Sequence, residues 1–207
     1  YFNAGSTLDT IELNGAGTYP ISLEVTGING CRTSMQETVI IHPEPVAGFE
    51  VEAVCIGEPS NFVDTSTIQW GTDIIGWYWQ FGDGQTSYVS NPSIDYAFAG
   101  DYPVSLTVNT PLCTSTFTDT LSAHAIPTVA VSADLLEGCS PLSVNLEATG
   151  TLNASYSWDF GNGNTGSGDQ VTHDFITTIG NDSTHDLSVT ATSEHGCSST
   201  QNLSVIA

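Results

Sequence analysis

The stretch Trp77-Tyr78-Trp79-Gln80-Phe81-Gly82-Asp83-Gly84 decides the fold. Trp77, Trp79 and Phe81 fall on one face and Tyr78 and Gln80 on the other, which is the period of a β-strand and not of a helix. Asp83-Gly84 then offers residues that tolerate a positive φ, suited to a tight turn into the next strand. The pattern returns as Tyr156-Ser157-Trp158-Asp159-Phe160-Gly161-Asn162-Gly163. Two further alternating runs, Tyr102, Val104, Leu106, Val108 and His185, Leu187, Val189, Ala191, supply matching strands. Short alternating strands punctuated by turn residues predict antiparallel β-sandwiches.

Cysteine spacing makes the repetition explicit. Cys55 and Cys113 are 58 residues apart, as are Cys139 and Cys197, and the two pairs are offset by 84. An incomplete copy opens the chain, with Phe2-Asn3-Ala4-Gly5 at the turn and Gly17 to Val25 paralleling Gly100 to Val108. Its front half is missing, so it is expected to leave Leu23 and Val25 open to water. The reading is therefore three copies: the C-terminal part of a sandwich over 1–44, a full one over 45–126 and a second over 127–207. The proline-bearing stretches His42-Pro43-Glu44-Pro45 and Ala125-Ile126-Pro127 fall between copies and read as short, semi-rigid linkers.

Composition excludes several classes of function. One base, Arg32, stands against 23 acids for a net charge of −22. Such a chain has no basic footprint for nucleic acid, and anionic membrane surfaces repel it. Its 39% apolar residues supply burial that a disordered acidic tail lacks. No apolar run is long enough to span a bilayer, so no membrane insertion is expected. The first residue is Tyr, not a leader Met, which suggests a piece of a longer chain.

Trp-x-Phe-Gly-Asp-Gly, followed by Asn91-Pro92-Ser93-Ile94-Asp95-Tyr96 and the alternating run from Gly100, resembles the PKD (polycystic kidney disease) domain. The resemblance implies an all-β fold of tandem immunoglobulin-like sandwiches. Trp79, Phe81, Gly82, Asp83, Gly84 and Tyr102 form the core signature of the middle copy, and Trp158, Phe160, Gly161, Asn162 and Gly163 that of the last. The last copy departs from the pattern at Asn162, Phe175 and His185, which stand where Asp, Tyr and Tyr are usual. The placement of cysteines resembles repeats in large secreted adhesins of Bacteroidetes-type bacteria. An extracellular, non-catalytic role follows from the resemblance, but no ligand does.

Five cysteines in small β-domains, without Cys-x-x-Cys spacing, point to disulfides in an oxidising compartment. The expected pairing is Cys55 with Cys113 and Cys139 with Cys197, with Cys31 bonded outside the segment. Against it, the two cysteines of one sandwich fall at opposite poles, too far apart for a bond needing Cα atoms about 5.5 Å apart. Either the first strand ends early or the bonds join neighbouring copies, as Cys55 with Cys197.

Trp79 and Trp158, with Trp77, are expected in the core. Trp70 and Tyr78 lie outside that alternation and are the candidates for a binding surface. Asp64, Asp83 and Asp101 are candidates for a local Ca²⁺ site, although no Asp-x-Asp-x-Asp-Gly loop is present. No cofactor is expected beyond Ca²⁺ or other cations screening the acidic surface. No nucleophile elbow, zinc motif or phosphate loop occurs, and His42, His124, His173, His185 and His195 share no register, so they read as ordinary surface residues. Asp9-Thr10-Ile11, Asp119-Thr120-Leu121 and Asp182-Ser183-Thr184 match a short bacterial O-glycosylation motif.

The resulting expectation is a stalk segment of a large cell-surface or secreted protein, an adhesin or surface filament, flanked by further copies of the same domain. The alternative is an accessory module of a secreted hydrolase that contacts polysaccharide or protein. Partners in the first case are other copies, including self-association into a filament; in the second, a surface polysaccharide or protein.

Overall fold

The computed structural model describes residues 10–70, 73–177 and 183–207. Among them every regular element is a strand, as the period-two patterning requires. Phe2-Asn3-Ala4-Gly5 lies outside the described residues, as do Asp9 and Asp182.

The first copy contributes one hairpin, β1 (Gly17–Thr26) and β2 (Arg32–Ile41), paired antiparallel from Gly17 opposite Ile41 to Thr26 opposite Arg32. Neither strand holds a buried residue. Leu23 and Val25 are 42% and 50% exposed, because among the described residues this two-stranded sheet has no second layer over them. Arg32 pairs with Glu24 at 2.9 Å on the same hairpin.

The middle copy is built from β3 (Phe49–Glu50), β4 (Val54–Cys55), β5 (Pro59–Asn61), β6 (Val63–Asp64), β7 (Gly76–Gln80), β8 (Thr86–Ser87), β9 (Ser93–Asp95), β10 (Gly100–Asn109) and β11 (Thr114–His124). A five-stranded sheet runs β4-β11-β10-β7-β8, and the pairs β3-β6 and β5-β9 form two small sheets. Alternation on β10 buries Val104, Leu106 and Val108 completely. Phe49, Phe62, Trp79 and Phe81 pack with ring centroids 5.0–6.1 Å apart. Trp79 is fully buried, and its Nε1 donates to the Val89 carbonyl at 2.9 Å, so its one polar atom is satisfied. Trp77 is only half-buried: its Nε1 donates to Asp64 Oδ2 near the edge of the core.

The last copy comprises β12 (Val129–Ala133), β13 (Leu142–Gly150), β14 (Ser155–Asp159), β15 (Thr165–Ser167), β16 (Gln170–Phe175), β17 (Thr184–Thr192) and β18 (Ser198–Ile206). Sheets β12-β13-β16 and β15-β14-β17-β18 enclose Leu142, Val144, Leu146, Trp158, Phe160, Phe175, Leu187, Val189 and Val205. Two antiparallel sheets closed over one apolar layer make a β-sandwich. Trp158 Nε1 donates to the Gly168 carbonyl at 2.9 Å, repeating the Trp79 bond.

Both signature turns are closed by the same bonds. Phe81 N–H donates to the Gln85 carbonyl at 3.2 Å and Phe160 N–H to that of Asn164 at 3.1 Å. Positive φ falls on the flanking glycines, 80° at Gly82 and 96° at Gly84, 74° at Gly161 and 85° at Gly163, and not on Asp83 or Asn162. Those two side chains instead accept the N–H two residues on, at 2.9 Å for Asp83 and 3.0 Å for Asn162. An amide oxygen serves this purpose as a carboxylate does, so Asn162 leaves the turn intact. Phe175 is fully buried in the last copy, as Tyr96 is nearly so in the middle one.

The described residues form two compact units. One contains 10–52, 60–94 and 102–121; the other contains 53–59, 95–101 and 122–207. The segment bearing Cys55, the end of β11 and the whole last copy thus belong to the second unit.

Candidate functional site

The disulfide of the second unit joins Cys55 to Cys197, with Cα atoms 5.6 Å apart at a sequence separation of 142. This corrects the expected pairing within each copy: Cys31, Cys113 and Cys139 are free thiols. Strand geometry gives the reason. β4 runs parallel to the end of β11, Val54 opposite Ala123 and Cys55 opposite His124, whereas Cys113 immediately precedes the first residue of β11. An eleven-residue strand, roughly 35 Å long, therefore separates them. In the last copy Gly138 N–H donates to the Ile206 carbonyl, placing Cys139 at the far end of β18 from Cys197.

Around the bond the linker is held by side chains from the turn between β17 and β18 and from the start of β18. His124 and His195 stack with ring centroids 3.7 Å apart and planes 7° from parallel. Ser199 Oγ donates to the Pro127 carbonyl at 2.5 Å. Cys197 Sγ lies 3.9 Å from the His124 carbonyl oxygen, a packing contact, since an oxidised sulfur has no hydrogen to give. Glu194 reaches His195 Nε2 at 3.4 Å from the solvent side. Sequence spacing does not reveal this cluster, because His124 and His195 belong to different copies and lie 71 residues apart.

His173 and His185 are packed against rings, not free surface groups. His173 lies flat on Phe160, centroids 3.9 Å apart, and edge-on to Phe175. His185 packs on the same Phe175 at 5.2 Å. Burial pushes His173 below the ordinary histidine value; Asp174 opposes the shift and His185 adds to it.

Trp70 is 42% exposed. Tyr78 is half-buried, and its ring lies 5.2 Å from that of Tyr88, which is 73% exposed. Tyr88 extends the aromatic surface, and sequence reading missed it because it follows the short β8 outside any alternation.

Asp64, Asp83 and Asp101 are engaged separately. Asp64 accepts from Trp77 and from the Ser66 N–H, Asp83 from both nitrogens of Gln85, and Asp101 from Ser122 Oγ at 2.7 Å. No group of three His, Cys, Asp or Glu among the described residues could hold a metal ion. Asp64 and Asp83 close local turns, and Asp101 makes a cross-strand bond from β10 to β11.

A polar row crosses the outer face of β12, β13 and β16. Asp134 takes both nitrogens of Asn145, which hold its carboxyl below the usual range, and Thr172 Oγ1 donates to Asn145 Oδ1 at 2.7 Å.

A family model described as the PKD domain matches residues 42–123. The PKD1 domain of Vibrio anguillarum Epp is 32% identical over 41% of this chain and 99% of its own length, with a TM-score of 0.38. The chain belongs to the PKD domain family. The PKD1 domain of the Vibrio cholerae metalloprotease PrtV is 33% identical over 39% of this chain and 96% of its own, with a TM-score of 0.36. No curated protein matches the chain. Trp79, inside the matched residues, fills a core, as Trp158 does. Among the described residues no helix is long and apolar enough to cross a membrane.

Proposed function

We propose that this chain is a load-bearing spacer, a non-catalytic stalk segment of a large extracellular or cell-surface protein whose PKD copies hold other parts at a distance. The observation that carries the reading is the Cys55–Cys197 bond, which spans from one sequence copy to the next. Tension applied at the two ends passes through that bond and bypasses the 141 residues, 56–196, between the two cysteines. Residues 1–55 and 197–207, 66 of 207, then remain to carry load. The stacked histidines and the Ser199–Pro127 hydrogen bond hold the linker in the same place. An exterior with a net charge of −22, screened by dissolved cations, keeps such segments from adhering to one another.

Pulling single molecules by their termini tests the role. With the bond intact, extension stops at roughly 230 Å, the reach of about 65 residues; after reduction it approaches roughly 720 Å for the whole chain. Equal extension in both states contradicts the spacer.

A second reading, an accessory module of a secreted hydrolase, draws on the origin of one relative in a metalloprotease and on the exposed rings of Trp70 and Tyr88. Retention on insoluble polysaccharide that is lost in Trp70→Ala or Tyr78→Ala favours that reading over the spacer.

A further inference from the structure

The five cysteines fall into two structural classes. Cys31, Cys113 and Cys197 each close the turn of a long hairpin: the N–H of Gly27, Thr110 and Ser193 donates to their respective carbonyls at 2.8, 2.9 and 2.8 Å. The turns of Cys31 and Cys197 share a further detail, a preceding glycine at φ 78° and 83°. Cys55 and Cys139 form the other class, beside the end of their own copy's last strand. Val54 is a parallel partner of Ala123 and Glu137 of Ile206, both displaced by 83 residues from one copy to the next. The N–H of Ile56 and of Gly138 then donates to the last residues of those strands, His124 and Ile206, at 2.9 and 3.1 Å.

Within one copy the two classes occupy opposite ends of a strand, so they cannot meet. The bond that does form takes the strand-end cysteine of one copy and the hairpin cysteine of the following copy. Moved by one copy in either direction, the same relation assigns every remaining thiol. We propose that Cys31, Cys113 and Cys139 are the open halves of a staggered disulfide series. Cys139 bonds to the hairpin cysteine of a following PKD copy, and Cys31 and Cys113 to strand-end cysteines of preceding copies. Cys31 and Cys139 are exposed and ready for such a partner. The inference goes beyond the spacer reading and holds equally for an accessory module.

The chemistry balances with a small-molecule disulfide, such as oxidised glutathione, as oxidant. One cysteine thiolate attacks it and expels a glutathione thiolate. The second cysteine thiolate then attacks the mixed disulfide and expels the other. Two protein thiols lose two protons and two electrons, and one oxidised glutathione becomes two reduced ones.

A second molecule of this chain supplies the missing partner, since its Cys31 is the hairpin cysteine that would follow Cys139 in a head-to-tail array. The purified chain is incubated in a glutathione buffer, resolved without reductant, digested with an acid-directed protease and mapped by mass spectrometry. Expected are covalent oligomers joined Cys139 to Cys31, lost in Cys139→Ser and independently in Cys31→Ser, with Cys55–Cys197 retained in every chain. Symmetric links, Cys139 to Cys139 or Cys31 to Cys31, overturn the proposal. So does a Cys113–Cys139 bond within a chain, or persistence of Cys31 and Cys139 as thiols or glutathione adducts.

Discussion

His124 lies face to face with His195, rings 3.7 Å apart, although one ends the last strand of the middle copy and the other sits in the final hairpin turn. Together with the neighbouring disulfide it fixes residues 125–127 between two side-chain contacts. His195→Ala removes the stack and is expected to cost about 0.5–1.5 kcal/mol, the usual worth of a ring pair. Thermal melting of the oxidised protein measures the loss, and amide exchange in residues 125–127 rises with it.

Gly161 and Gly163 make a contrasting pair. Both have positive φ, but a Cβ at Gly161 would stand 2.2 Å from the Asp186 carbonyl oxygen, whereas at Gly163 it meets nothing. Gly163→Ala therefore bears only the conformational penalty, about 1 kcal/mol. Gly161→Ala must also push two strands apart and costs about 3 kcal/mol or more. Denaturant titration of the two variants separates them.

Trp158 is 2% exposed and hydrogen-bonded, while Trp70 is 42% exposed. Trp158→Ala is expected to lose about 3–5 kcal/mol through the cavity it leaves. Trp70→Ala stays within about 0.5 kcal/mol. Equal effects in equilibrium unfolding contradict the assignment of Trp158 to the core.

His173 provides a pH test. Its folded pKa lies below the ordinary 6.5, so the unfolded chain binds its proton first as the solution is acidified. The neutral ring contributes its full stability above 6.5, and that contribution is lost as pH falls through the lowered folded value. Relative to His173→Gln, the parent protein should lose stability as pH falls below the ordinary histidine value of 6.5. Comparing the two melts removes the general effect of protonating the acidic surface. A gap that is constant with pH contradicts the partly buried, neutral ring.

Much of the sandwich was legible because strand alternation is a local property. The two-residue period that sets Trp79 and Phe81 on one face is covalent geometry, and the Gly-x-Gly turns follow within a few residues. Trp77 shares that period but sits near the edge of the core, where Asp64 captures its indole N–H; burial at an edge depends on distant strands. The pairing within each copy fails for the same reason, while the alternative that joins Cys55 to Cys197 is the one that forms. Equal spacing of Cys55–Cys113 and Cys139–Cys197 reports repetition, and repetition says nothing about which ends meet. The pairing of His124 with His195 and of Tyr78 with Tyr88 likewise arises only once separate segments are packed.

The central claim is that cysteines tie successive copies and not the two poles of one copy. Digestion of the unreduced chain with an acid-directed protease, followed by mass spectrometry of the linked peptides, measures this directly. The account predicts a peptide pair containing Cys55 and Cys197. A pair containing Cys55 and Cys113, or Cys139 and Cys197, would contradict it.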